Sequence, residues 1–121
     1  MTSLALLLLL AQQPVPYERI RNSANEPQSW LTYSGNYASH HYSTLNEINR
    51  ANVSRLEVAW IYQIRGRQHF ESTPLVADGV MYLTDPPSDV TALDLRTGRP
   101  LWHYRRRTAP DIAVCCGQVN R

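Results

Sequence analysis

Residues 75–84 of this chain read LVADGVMYLT and contain its clearest folding signal. The dipeptide Asp78-Gly79 favours a two-residue β-turn, and it separates two runs of apolar and β-branched residues. The second run, Val80 to Thr84, is apolar on both faces, which is typical of a strand that is buried on both sides. We therefore expect an antiparallel hairpin here.

Further short strands are predicted on both sides of this hairpin. Leu56 to Ile64 places apolar residues at every second position, Phe70 to Ala77 leads into the turn, and Val90 to Leu95 follows it. Leu101 to Tyr104 forms the last predicted strand, after the turn residues 96–99. We expect at most one or two short helical turns, near residues 49–55, where Asn49 could cap a turn over residues 50–55. Short strands with frequent turns indicate an all-β sandwich, barrel or propeller.

A weak internal repeat favours the propeller among these three folds. The pattern Trp-x-Tyr at residues 60–62 recurs at residues 102–104, which is 42 positions later. Propeller blades of four strands repeat at roughly 40–50 residues. A chain of 121 residues holds about one to two such blades, so we expect a fragment of a larger ring.

The net charge and the N-terminal residues limit the possible partners and cellular location of the protein. A formal net charge of +2 is too small to indicate a nucleic-acid partner. The apolar run Leu4 to Ala11 is too short for a transmembrane segment, which needs about 20 residues. It predicts a signal peptide over residues 1–11, followed by a polar N-terminal arm over residues 12–29. Export would place the cysteines where disulfides persist.

Cys115 and Cys116 are adjacent in the sequence. Neighbouring Cα atoms lie about 3.8 Å apart, whereas a disulfide favours about 4.4–6.8 Å, so a bond between these two residues would close a strained ring. Such a ring would offer a flat, apolar sulfur face to a planar molecule. The alternative is a pair of reduced, buried thiols.

Residues 92–102, ALDLRTGRPLW, resemble the tryptophan-docking motif Ala-x-Asp-x-x-Thr-Gly-x-x-x-Trp of the eight-bladed quinoprotein dehydrogenases. In this motif we expect Thr97-Gly98 to form a tight turn, Asp94 to accept hydrogen bonds from it, and Trp102 to pack between blades. Residues 45–60, 71–82 and 115–121 resemble further family segments in the family's order. The resemblance implies that residues 30–121 are the truncated N-terminal part of an eight-bladed β-propeller of four-stranded antiparallel sheets.

The resemblance also implies a function. The family consists of periplasmic enzymes that oxidise alcohols with pyrroloquinoline quinone (PQQ) and calcium and pass electrons to a cytochrome c-type acceptor. Cys115 and Cys116 match a vicinal disulfide that stacks on the quinone, Glu71 matches a carboxylate that bonds to the cofactor, and Arg121 matches an arginine beside the cofactor's carboxylate and carbonyl groups. The cysteine pair indicates the alcohol type rather than the glucose type.

No catalytic residue or calcium ligand is assigned, because the family's counterparts lie beyond Arg121. The chain would then supply one wall of the PQQ site and be inactive alone. Two alternatives stay open: a non-enzymatic propeller scaffold of the outer-membrane assembly lipoprotein type, and a non-functional truncated product. The combination of Glu71, Cys115-Cys116 and Arg121 argues against the scaffold, which has no need of it.

Overall fold

The computed structural model describes residues 14–65, 70–86 and 88–107, and one antiparallel sheet forms its centre. The sheet has four strands whose order in space is their order in the chain: β1 (Leu75–Ala77), β2 (Val80–Asp85), β3 (Asp89–Asp94) and β4 (Pro100–Tyr104). Each strand pairs with the next through a short connection. A four-stranded antiparallel sheet is the building unit of a β-propeller, so the predicted all-β fold and blade type are confirmed.

The turn between β1 and β2 forms where the sequence predicts it. Asp78 and Gly79 have φ angles of 51° and 76°, and Ala77 pairs with Val80 on either side of them. Two positive φ angles in a two-residue loop are characteristic of the type I′ turn, whose twist suits a hairpin. This turn fixes the register of Leu75 opposite Tyr82.

β3 is the most buried strand because β2 and β4 flank it. Ala92 and Leu93 have no exposed surface, and Leu83 of β2 is 7% exposed. All five residues of β4, in contrast, are exposed at the edge of the sheet. The expectation that Val80 to Thr84 is buried on both faces is wrong, since only Leu83 among these five residues is buried and the other four are half-buried. No second sheet among the described residues covers their outer face.

Residues 56–64 do not form the predicted strand. A 3₁₀ turn at Val53–Arg55 is followed by a segment without strand pairing, in which Val58 and Ile61 are 77% and 85% exposed. The alternating pattern is present, but a strand also needs a partner for its backbone, and none of the described strands pairs with this segment. The short helical turn before it was predicted, and Asn49 contributes to it by accepting a hydrogen bond from Ala51 N through Oδ1 at 2.9 Å.

The N-terminal arm is attached to the sheet. It contains a short helix, α1 (Tyr17–Arg21), and a 3₁₀ turn at Ser23–Asn25. The sequence did not predict α1, because five residues are too few to show a helical period. Trp30 and Val76 exchange two backbone hydrogen bonds of 2.8 and 2.9 Å, which join the end of the arm to β1.

Arg19 of α1 binds two carboxylates and so fastens the arm to the hairpin turn. Its guanidinium donates to Asp78 at 2.9 and 3.1 Å and to Glu26 at 2.6 and 3.0 Å. The hydrogen bond from Arg19 holds the pKa of Glu26 below its ordinary value. None of the helices within the described ranges is long and apolar enough to cross a bilayer.

Candidate functional site

The described features that bear on the predicted site lie at one end of the sheet. The strands are antiparallel, so the start of β1, the end of β2, the start of β3 and the end of β4 lie together. The register shows this directly, since Asp85 pairs with Asp89 and Val90 pairs with Tyr104. We call this the Glu71 end, because residues 71–74 enter β1 here.

Glu71 is exposed at this end, four residues before β1 begins. The neighbouring residue Ser72 anchors the segment to β2, because its Oγ accepts hydrogen bonds from the backbone N and the Oγ1 of Thr84, both at 3.1 Å. The predicted role of Glu71 in binding the cofactor stays a prediction.

The other three predicted site residues, Cys115, Cys116 and Arg121, lie outside the described residues. The chain leaves β4 at Tyr104, on the Glu71 end, and Cys115 follows 11 residues later. Eleven residues span at most roughly 36–40 Å, whereas three strand spacings between β1 and β4 amount to about 14–15 Å. The connection is therefore long enough for the cysteines to reach Glu71, and their grouping stays a prediction.

Exposed positive charge also lies at this end. Arg105, Arg106 and Arg107 directly follow β4 and are exposed. Their place beside the end of β4 makes them available to an anionic molecule bound near Glu71, since guanidinium groups bind carboxylates well.

A chain of hydrogen-bonded polar side chains, buried on β2 and β3 and exposed on β4, lies at the same end, and sequence reasoning missed it. Thr91, with no exposed surface, lies between Asp85 Oδ2 at 3.1 Å and His103 Nδ1 at 2.9 Å. His103 Nε2 lies 3.2 Å from Asp89 Oδ2. After β4, the backbone N of Arg106 donates to Asp89 Oδ1 at 3.2 Å. The sequence signal was the pair of aspartates around a Pro-Pro turn, but only the strand register shows that His103 lies opposite Thr91.

The turn of the predicted docking motif forms as expected. Thr97 donates to Asp94 Oδ1 from its backbone N at 2.8 Å and from its hydroxyl at 2.6 Å. These bonds hold the pKa of Asp94 below its ordinary value. Gly98, with a φ of 68°, completes the turn.

Trp60, and not Trp102, is the tryptophan that contacts this turn. Its indole Nε1 donates to Leu95 O at 3.1 Å, and a Cβ placed on Gly98 would lie 2.5 Å from its ring. Trp102 is 42% exposed and packs against Tyr82, with 6.0 Å between the ring centres. The predicted packing of Trp102 between blades involves a second blade and stays a prediction.

A cavity elsewhere in the molecule and a search for metal-binding groups add no residue to the candidate site. A cavity of about 320 Å³ lies between the arm and residues 35–44, and Glu71, the predicted site residue that the structure describes, does not line it. Within the described part of the chain, no group of three or more His, Cys, Asp or Glu residues is arranged to hold a metal ion.

Comparison with known proteins shows the family of the chain. The β-propeller domain of the PQQ-type glucose/ethanol/alcohol dehydrogenases matches residues 30–118. The dehydrogenase subunit of the quinone alcohol dehydrogenase of Gluconacetobacter polyoxogenes is 42% identical over 106 residues, which cover 86% of this chain and 14% of that protein.

Solved structures give the same result. The quinohemoprotein alcohol dehydrogenase ADHIIG of Pseudomonas putida superposes with a TM-score of 0.74 at 41% identity, over 77% of this chain and 14% of its own. A europium-containing methanol dehydrogenase superposes with a TM-score of 0.69 at 35% identity, over 76% of this chain and 16% of its own. The chain thus spans about one seventh of the length of the relatives that it matches. By the extent and identity of these matches, the chain belongs to the family of PQQ-dependent alcohol dehydrogenase β-propellers.

Proposed function

We propose that this chain forms one wall of a PQQ site in an enzyme that oxidises alcohols. The observation that carries the proposal is the position of Glu71, exposed at the end of the sheet from which β4 leads towards Cys115 and Cys116. The relatives that share this blade are named as quinone-linked and quinohemoprotein alcohol dehydrogenases. The fold brings these residues to one end of the sheet, and their chemical types are the reason that we assign a binding role to that end.

The residue types at this end suit the cofactor. PQQ is flat and carries three carboxylates, and it supplies the oxidising quinone when bound. Glu71 would accept a hydrogen bond from the cofactor, and the arginines after β4, together with Arg121, would bind its carboxylates. A Cys115–Cys116 ring would cover one face of the planar group. The chain contributes binding and orientation, and we assign no catalytic base to it.

The setting of the enzyme is part of the same proposal. Export through residues 1–11 would deliver the protein to the periplasm, where calcium and a cytochrome c-type acceptor would complete the reaction. A related methanol dehydrogenase contains europium, so metal analysis of the purified protein is needed to identify its ion. Sequencing the N-terminus of the exported protein tests the predicted cleavage after Ala11.

Glu71→Gln is the most direct test of the binding role. The complete gene product is titrated with PQQ, and affinity is followed through quenching of tryptophan fluorescence. Loss of a hydrogen bond to a charged group costs about 1.5–3 kcal/mol, so we expect affinity to fall roughly 10- to 100-fold. Glu57→Gln is the matched control, because Glu57 is also an exposed glutamate and lies three residues before Trp60, which contacts the β3–β4 turn at the opposite end of the sheet.

Three outcomes separate the alternatives. A specific loss in Glu71→Gln, with Glu57→Gln unchanged, supports the proposal. PQQ binding that is equally strong in both variants shows that Glu71 does not contact the cofactor. No PQQ binding by the correctly folded complete product overturns the enzyme proposal and leaves the scaffold as the better explanation.

A further inference from the structure

Asp89 is a buried carboxylate at the Glu71 end, and it contacts the chain where that chain leaves β4. It is the first residue of β3 and is 6% exposed. The pairing of β3 with β4 ends at Val90 and Tyr104, so Asp89 lies just beyond the last paired position. Strand pairing with β3 therefore does not hold the residues that follow Tyr104.

The side chain of Asp89 holds the chain beyond this point. Its Oδ1 accepts a hydrogen bond from the backbone N of Arg106 at 3.2 Å. Its Oδ2 lies 3.5 Å from Nε of Arg105 and 3.2 Å from Nε2 of His103. Hydrogen bonds to an ionised group are stronger than those between neutral groups. A single carboxylate thus contacts the last turn of the chain around the end of β4.

The residues after Tyr104 have few other contacts. β4 is the edge of the sheet, and none of the described strands pairs with its outer side. Residues 105–107 are exposed, and within the described part of the chain the hydrogen bond and the ion pair that they form are both with Asp89. Removal of this carboxylate would therefore release the chain at its exit from β4.

The two ends of β3 use the same device. β3 begins with Asp89 and ends with Asp94, and each carboxylate accepts a hydrogen bond from a backbone N outside the strand. Asp94 accepts from Thr97 N at 2.8 Å and shapes the turn that leads into β4. Asp89 accepts from Arg106 N and shapes the exit from β4. The first contact fixes a turn, and the second fixes the direction of the chain that follows.

We infer that Asp89 is a positioning residue for the PQQ site, because its carboxylate fixes the path along which the chain leaves β4 towards Cys115 and Cys116. The inference rests on the proposed function, since the cysteines are assigned to the cofactor there. A connection whose first residues are already fixed loses less conformational entropy when the cofactor binds. Asp89 acts through the segment that follows it and is assigned no contact with the cofactor.

Titration of the complete gene product with PQQ, followed by quenching of tryptophan fluorescence, tests this role. Asp89→Ala removes the acceptor for Arg106 N, and affinity should fall roughly 2- to 13-fold, the range for loss of one hydrogen bond. Asp89→Asn keeps an oxygen for the same backbone N, and its affinity should stay within about 2-fold of the unmodified protein. An Asp89→Asn variant as weak as Asp89→Ala contradicts the anchoring of the chain through Arg106 N.

Asp94→Ala is the matched control. It removes the corresponding carboxylate at the opposite end of β3 and loosens the β3–β4 hairpin without touching the exit from β4. PQQ affinity should therefore be unchanged in this variant. An equal loss of affinity in Asp94→Ala and Asp89→Ala would show that Asp89 only stabilises the hairpin, and it would overturn the inference.

Hydrogen exchange of the PQQ-free complete product, measured by mass spectrometry, tests the anchor without the cofactor. The peptide over residues 103–107 should exchange roughly 2- to 13-fold faster in Asp89→Ala and at the unmodified rate in Asp89→Asn. Unchanged exchange in Asp89→Ala overturns the inference. No PQQ binding by the folded, unmodified product overturns the proposed function and with it the role of Asp89 in that site. PQQ binding that Asp89→Ala does not weaken overturns this inference alone.

Discussion

Gly98→Ala provides a quantitative test of how Trp60 is held against the sheet. Gly98 has a φ of 68°, where an L-residue is strained by roughly 1–2 kcal/mol. The new Cβ would also lie 2.5 Å from the ring of Trp60, which is far inside normal contact. Overpacking of this kind costs about 1–3 kcal/mol, so we expect a total destabilisation of about 2–5 kcal/mol.

Gly79→Ala is the matched control. Gly79 has a similar φ of 76°, but no heavy atom lies within 4 Å of the position that its Cβ would take. Its substitution carries only the backbone strain of roughly 1–2 kcal/mol. The difference between the two variants, about 1–3 kcal/mol, therefore isolates the contact with Trp60.

Hydrogen exchange is the suitable assay, because it reports local opening in a protein of any size. The peptides that cover residues 94–102 should exchange about 5- to 150-fold faster in Gly98→Ala than the peptides around residue 79 do in Gly79→Ala. Adding Trp60→Ala to Gly98→Ala should abolish this excess, since the ring that clashes is then absent. Equal acceleration in the two glycine variants would refute the proposed seating of Trp60 on Gly98.

Four further outcomes are expected. The pKa of Asp94 is lowered in the folded protein, so the stabilisation that Asp94 gives to the turn is complete above the ordinary aspartate pKa and is lost as pH falls through the lower folded value. Asp94→Ala should therefore open the turn at neutral pH and remove this acid dependence of hydrogen exchange. Arg19→Gln should speed proteolytic cleavage within residues 14–30, and acid that protonates Glu26 should do the same in the unmodified protein, whereas an unchanged cleavage rate would contradict the role of the arm contact. Mass spectrometry of an unreduced digest should find Cys115 bonded to Cys116 and easily reduced, and two free thiols in PQQ-loaded protein would exclude that bond. The isolated 121-residue chain should self-associate through its many exposed aromatic and aliphatic side chains, and a monodisperse monomer with a sharp, reversible transition would argue against this.

Local signals predicted the sheet well. Asp78-Gly79 specified the hairpin because few dipeptides adopt two consecutive positive φ angles without strain. The short runs of apolar and β-branched residues at 90–95 and 101–104 placed β3 and β4 to within a residue or two. Asp94 and Thr97 were assigned to their turn correctly, because the interaction between them is local and spans only three residues.

Interactions between residues that are far apart in the sequence could not be predicted from local sequence signals. Residues 56–64 alternate clearly, yet strand formation also depends on a pairing partner that no local pattern specifies. The contact between Arg19 and Asp78 spans 59 residues, and the polar chain from Asp85 to His103 depends on the register of three strands. Glu71 was assigned its role by resemblance alone and that role stays a prediction, whereas the hydrogen bonds between the neighbouring Ser72 and Thr84 could not be read from the sequence.

The contact between Trp60 and the turn at Gly98 offers a physical explanation for the sequence repeat that contains Trp60 and Trp102. The ring of Trp60 lies against Gly98, and its indole Nε1 donates to Leu95 O. These contacts attach residues 56–64, which have no strand pairing, to the β3–β4 turn. Trp102 occupies the equivalent position in the sequence repeat, but 42% of its surface is exposed. We therefore expect a second turn of the Asp-x-x-Thr-Gly type, elsewhere in the complete protein, to cover Trp102 as Gly98 covers Trp60. If so, Trp102→Ala should accelerate exchange in that second turn while leaving the turn at Gly98 unaffected, and acceleration confined to β3 and β4 would show that Trp102 serves only its own sheet.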